Sequence, residues 1–312
     1  MQIKTTKAKP CTLLLPMAAL AAVLCAVPAA HADIYVANNG SDTIGDYSTS
    51  GVTVNGALVG ALNYPYGIAV SGTDVFVVNN LNGVIGEYTT SGAIVNASLA
   101  TAYYKYALGI AVDGTNMFVA SSDYGSGVGN SGLIGEYTTS GTTVNSALIT
   151  GLSDPGNIAI SGSDLFVTDY QNGTIGEYTT TGATVNPALV TGLSEPVGIA
   201  IAGTDIFVAE YGTGVVGEYT IAGNAVDTRL ITGLSGPTGV AVSGNDLFVA
   251  NYLTDTLGEY TTSGIAVNAS LITGLSNPFG VAVTSVPDLA SLAILAVAGA
   301  GMLLLRRRRV SG

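Results

Sequence analysis

Apolar positions in this chain come in short bursts separated by glycine and Asx turns. Between Ser194 and Leu234, Gly198-Ile199-Ala200-Ile201 leads into a Gly203-Thr204-Asp205 turn. Ile206-Phe207-Val208-Ala209 follows, then a polar break over Glu210-Tyr211-Gly212-Thr213-Gly214. Val215 to Thr220, an Ala222-Gly223-Asn224 turn and Ala225 to Thr232 complete the unit. Each burst has strand length, is rich in β-branched and aromatic residues, and is bounded by turn formers. No window shows an i, i+3, i+4 apolar stripe, and glycine interrupts every candidate helix. The pattern predicts four strands per unit and an all-β chain.

The unit recurs. Gly45-Asp46-Tyr47, Gly86-Glu87-Tyr88, Gly135-Glu136-Tyr137, Gly176-Glu177-Tyr178, Gly217-Glu218-Tyr219 and Gly258-Glu259-Tyr260 lie 41, 49, 41, 41 and 41 residues apart. Four strands in 41 residues is the size of a propeller blade. The repeat region opens at Ile34-Tyr35-Val36-Ala37, which matches a second strand, and closes at Gly280-Val281-Ala282-Val283, which matches a first strand. The two ends therefore share one blade, giving a six-bladed ring without the open sheet edges of a linear stack.

The phrases Pro196-Val197-Gly198-Ile199-Ala200-Ile201 and Pro237-Thr238-Gly239-Val240-Ala241-Val242, with Tyr35-Val36-Ala37-Asn38 and Phe248-Val249-Ala250-Asn251, resemble the NHL-type six-bladed propeller across most of residues 34–284. This resemblance implies a scaffold. Its bearers include lactonases, a lyase acting on a cyclic peptide antibiotic, and binding modules, so it selects no function.

The two ends read as targeting segments. Lys4, Lys7 and Lys9 precede an apolar stretch from Thr12 to Val27, and Ala30-His31-Ala32 is a small-x-small cleavage site before Asp33. Signal peptidase is thus an expected partner, and residues 1–32 are expected to leave, taking Cys11, Cys25 and the sole histidine, His31, with them. After the propeller region, 33–285, residues 286–312 hold a 17-residue apolar run, Leu289 to Leu305, followed by Arg306-Arg307-Arg308-Arg309. That run is at the lower limit for a membrane-spanning helix, with the arginines on the cytoplasmic side. It reads as a tail anchor or as a sorting signal. Val286-Pro287-Asp288 with the helix and arginines resembles the PEP-CTERM tails processed by exosortases in Gram-negative bacteria, although Val-Pro-Asp-Leu stands where that motif has Val-Pro-Glu-Pro. The resemblance implies delivery to the cell envelope, surface or exterior, with exopolysaccharide association.

Charge narrows the partners. Residues 33–284 carry two basic residues, Lys105 and Arg229, against 20 acidic ones, a formal charge of −18. Nucleic acid and anionic lipid surfaces would be repelled. Within residues 33–284 there is no thiol and no imidazole, and no base is placed to activate the many hydroxyls. The lyase relatives act through histidine and the lactonase relatives through a metal held by converging carboxylates and asparagine. The residues expected at the axis are Tyr66, Leu108, Gly156, Asn157, Val197, Thr238 and Phe279, too few oxygen ligands for a hard cation. No cofactor, no metal and no catalysis are expected. The six repeated acids, Asp46 to Glu259, read as a solvated face.

Recognition chemistry gathers where the repetition fails. Tyr64-Pro65-Tyr66 and Tyr103-Tyr104-Lys105-Tyr106-Ala107 replace the usual Gly-Leu-Ser-x-Pro, with Tyr104 in the leucine's place. The eight additional residues of the 49-residue interval fall in Ser121 to Gly132, which holds Asp123-Tyr124. Up-and-down connectivity sends these loops to the face that also bears Asp169-Tyr170, Glu210-Tyr211 and Asn251-Tyr252. Tyrosines beside hydrogen-bonding groups suit a glycan or peptide. The expected site is therefore Tyr64, Tyr66, Lys105, Tyr106, Asp123, Tyr124, Asp169, Tyr170, Glu210, Tyr211, Asn251 and Tyr252. The alternative is a metal-dependent hydrolase or lactonase acting through Asp123, Asp169 and Glu210.

Overall fold

A computed structural model describes residues 32–123 and 131–284. Their 24 strands form six four-stranded antiparallel sheets. The second blade is typical: β4 (Pro65–Ser71), β5 (Asp74–Asn79), β6 (Val84–Thr89) and β7 (Ile94–Thr101) follow one another from the axis outward. The third contains β8 (Tyr106–Asp113), β9 (Asn116–Ser122), β10 (Gly132–Thr138) and β11 (Thr143–Leu152). The fourth contains β12 (Pro155–Ser161), β13 (Asp164–Asp169), β14 (Thr174–Thr179) and β15 (Thr184–Thr191). The fifth comprises β16 (Pro196–Ala202), β17 (Asp205–Glu210), β18 (Val215–Thr220) and β19 (Ala225–Ile231), within two residues of the strands expected from the pattern. The sixth comprises β20 (Pro237–Ser243), β21 (Asp246–Asn251), β22 (Thr256–Thr261) and β23 (Ala266–Thr273). The first blade is composite: β24 (Pro278–Val283) pairs with β1 (Asp33–Asn38), and β2 (Thr43–Ser48) and β3 (Thr53–Val59) follow. The all-β six-bladed architecture read from the repeats is the observed one.

Closure is made by Ile34, Tyr35 and Val36 opposite Val283, Ala282 and Val281. The Asp33 N–H donates to the Thr284 hydroxyl at 2.8 Å, and the Thr284 N–H returns to the Asp33 carbonyl at 3.0 Å. The core consists of six clusters, one between each pair of neighbouring blades. Strand alternation explains this arrangement: on β13, Leu165 and Val167 pack towards the third blade while Phe166 packs towards the fifth. Second strands are buried on both faces and so read as continuous apolar runs.

The repeated Gly-x-Tyr also has a packing reason. Residues two apart share a strand face, and the buried tyrosine ring folds back over the glycine. A Cβ on Gly176 would lie 2.7 Å from the Tyr178 ring, and one on Gly86 2.7 Å from that of Tyr88. The central acids of the motifs are less solvated than expected, and only Asp46 is buried outright. The five glutamates are half-buried, and Asp46, whose side chain is one methylene shorter, is only 5% exposed. Opposite them sit Asn55, Asn96, Asn145, Asn186, Asp227 and Asn268, where the third-to-fourth pairing slips register. The Asn96 Oδ1 accepts from the Ser98 N–H at 3.1 Å, so these side chains fill the bulge, as their turn chemistry implies.

The third blade corrects two details of the alignment. Ala102, not Tyr104, takes the leucine position: its N–H donates to the Gly83 carbonyl at 2.8 Å, as the Leu193 N–H does to Gly173 at 3.0 Å. The β7–β8 connection is thus longer than its counterparts. The β9–β10 connection is longer by seven residues rather than eight, since the partners Phe118 and Glu136 are 18 apart where Phe166 and Glu177 are 11 apart.

Candidate functional site

Two kinds of loop meet at one mouth of the ring, those joining fourth to first strands and those joining second to third. They are tied together in the same way in five blades, and in the third by the Ser121 hydroxyl, which accepts the Tyr104 N–H at 3.4 Å. In those five the last side chain of the second strand accepts the backbone N–H of the residue after the repeated leucine. Ser153 donates to Asp169 at 2.9 Å, Ser194 to Glu210 at 2.9 Å, Ser235 to Asn251 at 3.3 Å and Asn63 to Asn79 at 2.9 Å. Asp169, Glu210 and Asn251 are therefore buried loop clamps and do not line the mouth. Asp169 also takes the N–H and amide of Asn172. Asp123 accepts the Ser131 N–H at 2.7 Å, closing the base of the long β9–β10 connection.

Inside the mouth lies an axial cavity of about 560 Å³. Tyr64, Tyr66, Tyr106, Tyr170, Tyr211 and Tyr252 line it, with Phe279, Leu108, Val197, Asn80, Ser122 and Asp154 among the others. Its volume falls in the range of small-ligand sites. The rings of Tyr66 and Phe279 are 3.8 Å apart between centroids, tilted by 32°; Phe279 meets Tyr252 edge-on at 6.4 Å, and Tyr252 meets Tyr211 at 6.4 Å. These four rings form an arc over four consecutive blades. Lys105 lies outside the lining, exposed, its ammonium 4.7 Å from the Tyr106 ring centroid.

Opposite the arc, Tyr106 and Tyr170 share the wall with the polar Ser122 and Asp154. Asp154 precedes Pro155 with a left-handed backbone, φ 68°, and is only 8% exposed although it lines the cavity. Burial pushes its carboxyl above the usual carboxylate range; the Ser122 hydroxyl pulls it partly back, and the Asp169 and Asp123 charges push it up again. Ser122 is fully buried, and its hydroxyl has no well-aligned hydrogen-bond partner. Burial, then neighbouring phenols and Asp154, raise Tyr66 to about 12. Burial and the Glu195 charge raise Tyr170 to about 12 as well. Both phenols are neutral hydrogen-bond donors at physiological pH.

The first-strand positions expected at the axis line this cavity at Tyr66, Leu108, Gly156, Val197, Thr238 and Phe279; Asn157 does not. In the fourth blade glycine and the next residue are transposed, and the Thr168 hydroxyl bridges the Asn157 N–H at 2.8 Å and the Val197 carbonyl at 2.8 Å. The Asn157 Oδ1 accepts the adjacent Ile158 N–H at 2.9 Å. Of the seven expected site tyrosines six, Tyr64 among them, share the cavity, and Tyr124 lies outside the described residues, as do Val286, Pro287, Asp288 and Arg306 to Arg309. Ala32 and Asp33 adjoin the closing strand pair, and Ala32 is buried. Sequence reasoning missed Asp154, Ser122 and Asn80. The usable signal for Asp154 was its place beside an axial first-strand position in a turn whose variable residue changes in every blade. Among the described residues no group of three or more Asp, Glu, His or Cys is disposed to hold a metal ion, and no helix is long and apolar enough to cross a membrane.

No protein-family model matches the chain, and no curated protein matches it by sequence. Among solved structures it is similar to a chain of a nidogen/laminin complex, at 16% identity and a TM-score of 0.69, covering 81% of this chain and 98% of that one. A streptogramin B lyase matches at 20% identity and a TM-score of 0.52, over 80% of this chain and 82% of its own. A functionally unknown protein from Desulfotomaculum acetoxidans matches at 12% identity and a TM-score of 0.56, over 82% and 99%. Likeness at such identities is likeness of fold. The class is that of six-bladed β-propellers with four-stranded blades.

Proposed function

We propose that this chain is an exported, non-enzymatic binding protein whose ligand enters the axial cavity. The observation that carries this reading is the cavity itself, ringed by tyrosines from several blades, with the hydrogen-bonding groups of Asn80, Ser122 and Asp154 among them. Flat aromatic rings with neutral phenol donors suit a glycan ring or a peptide side chain. The signal-like residues 1–32 and the PEP-CTERM-like residues 286–312 support a route through signal peptidase and an exosortase to the envelope or exterior of a Gram-negative cell, and the tail resemblance alone supports association with exopolysaccharide. The hydrolase or lactonase alternative has less support, because the carboxylates of Asp123, Asp169 and Glu210 already accept backbone N–H groups.

The test is binding of an oligosaccharide and peptide panel by calorimetry. Tyr211→Ala and Tyr252→Ala are expected to abolish binding while the folded fraction is unchanged by circular dichroism. Binding that survives both substitutions would remove the cavity from consideration. Mass spectrometry of native protein addresses the route: finding residues 289–309 intact would discard the processed tail.

A further inference from the structure

The cavity is chemically lopsided. Asp154 is a buried carboxyl facing it, and none of the described residues lining it is basic. A carboxylate in that setting has lost hydration without gaining a counter-ion. The neighbouring acids are held by backbone N–H groups, whereas Asp154 has the Ser122 hydroxyl beside it. Asp169 is taken by the Ser153 N–H and Asn172, and Asp123 accepts the Ser131 N–H. Beside Asp154 the Ser122 hydroxyl is fully buried without a well-aligned partner. Across from it stand the tilted and edge-on rings of Tyr66, Phe279, Tyr252 and Tyr211. An aromatic wall facing one desolvated carboxylate is the complement of an organic cation.

Resting on the reading of this cavity as a ligand site, we infer that it takes an ammonium group, with Asp154 as counter-ion and the aromatic arc as the face over which the cation lies. The molecule holds one small instance of the same chemistry, the Lys105 ammonium 4.7 Å from the Tyr106 ring. A hard divalent cation would need several oxygen ligands where this wall offers rings. An anion would meet Asp154 with no basic residue to offset it. The charge of the propeller region, two basic against 20 acidic residues, draws cations towards the mouth. At Gly156, beside Asp154 and Pro155, a Cβ would lie 2.7 Å from the Thr168 hydroxyl and 3.0 Å from the Val197 carbonyl, so the position admits no side chain.

Calorimetry on the purified full-length protein, with four probes, tests this. Choline and glucosamine carry the ammonium; 3,3-dimethylbutanol and N-acetylglucosamine are their neutral counterparts. The charged member of at least one pair is expected to bind and its neutral member not to, and the pair that responds identifies a quaternary or a primary ammonium. Asp154→Asn, which keeps shape and tolerates the left-handed backbone, should weaken binding about tenfold or more, the size of one lost charge-assisted contact. Affinity should also fall as pH is lowered through the raised Asp154 titration, where Ser122, Asp123, Asp169, Tyr66 and Tyr170 are the facing groups. Equal binding of a neutral probe and its charged partner, unaffected by Asp154→Asn, would overturn the ammonium assignment and leave the binding site standing. Failure of both charged probes to bind at millimolar concentration, with Asp154→Asn folded normally, would overturn it too.

Discussion

At the scale of single residues the repeated tripeptide is a packing unit. Each glycine exists because the tyrosine two residues on lies across its Cα, so that a methyl group there has no room. Gly176→Ala is therefore expected to destabilise the fold by about 1–3 kcal/mol, the cost of overpacking a filled core. Urea denaturation checks it, and an unchanged midpoint would mean that the Tyr178 ring moves freely. Asp46 makes a different prediction. Burial, and then the Asp33 charge, raise its pKa from 3.8 to about 6, and one of its buried carboxyl oxygens has no hydrogen bond. A carboxyl with a raised folded-state pKa holds its proton more tightly when folded, so stability falls as pH climbs from the unfolded value through about 6. Asp46→Asn should raise the melting temperature above that range and change it little near pH 4, where Asp46 is already largely protonated in the folded state.

Among the elements, the important contact is the clamp from the end of each second strand to the incoming fourth-to-first loop. It fixes where the variable residue and the axial first-strand residue stand relative to the cavity. Asp169→Ala would strand the Ser153 N–H and the Asn172 side chain. The expected loss is about 1–3 kcal/mol for buried donors left unsatisfied. Asp169→Asn keeps one acceptor oxygen and should lose less. Equal losses for the two in denaturant titrations would show that the clamp does not act through its oxygens.

For the whole molecule, stability depends on the ring being closed by strands from opposite ends of the chain. Removing Pro278–Val283 leaves β1 as an exposed edge and uncovers the cluster around Ile34, Val36 and Phe248. Such a truncation should lose cooperative unfolding or aggregate. A circular permutant joining residues 33 and 284 and opened within 124–130 keeps every blade and should unfold in one transition. Calorimetry separates the cases; a truncation as cooperative as the parent would contradict closure as the source of stability. The whole molecule also has an unusual pH response. Asp46, Asp154 and the five motif glutamates are all shifted upwards, chiefly by burial. With few positive charges to offset them, the melting temperature should decline from mildly acidic pH towards pH 8.

Strand positions, blade number and the composite closing blade were legible in the sequence, because each follows from local alternation and a repeat length. The axial positions Tyr66, Leu108, Gly156, Val197, Thr238 and Phe279 were legible for the same reason. Asn157 was misplaced because the Thr168 hydroxyl, eleven residues on, takes the bridging role in that blade alone. The buried state of Asp46, and the difference between Asp169 as a clamp and Asp154 as a wall, belong to the tertiary structure. Sequence determines which groups can accept a hydrogen bond; whether a carboxylate finds a backbone donor or is left facing a cavity depends on the neighbouring loop, and only the closed ring brings that loop into reach.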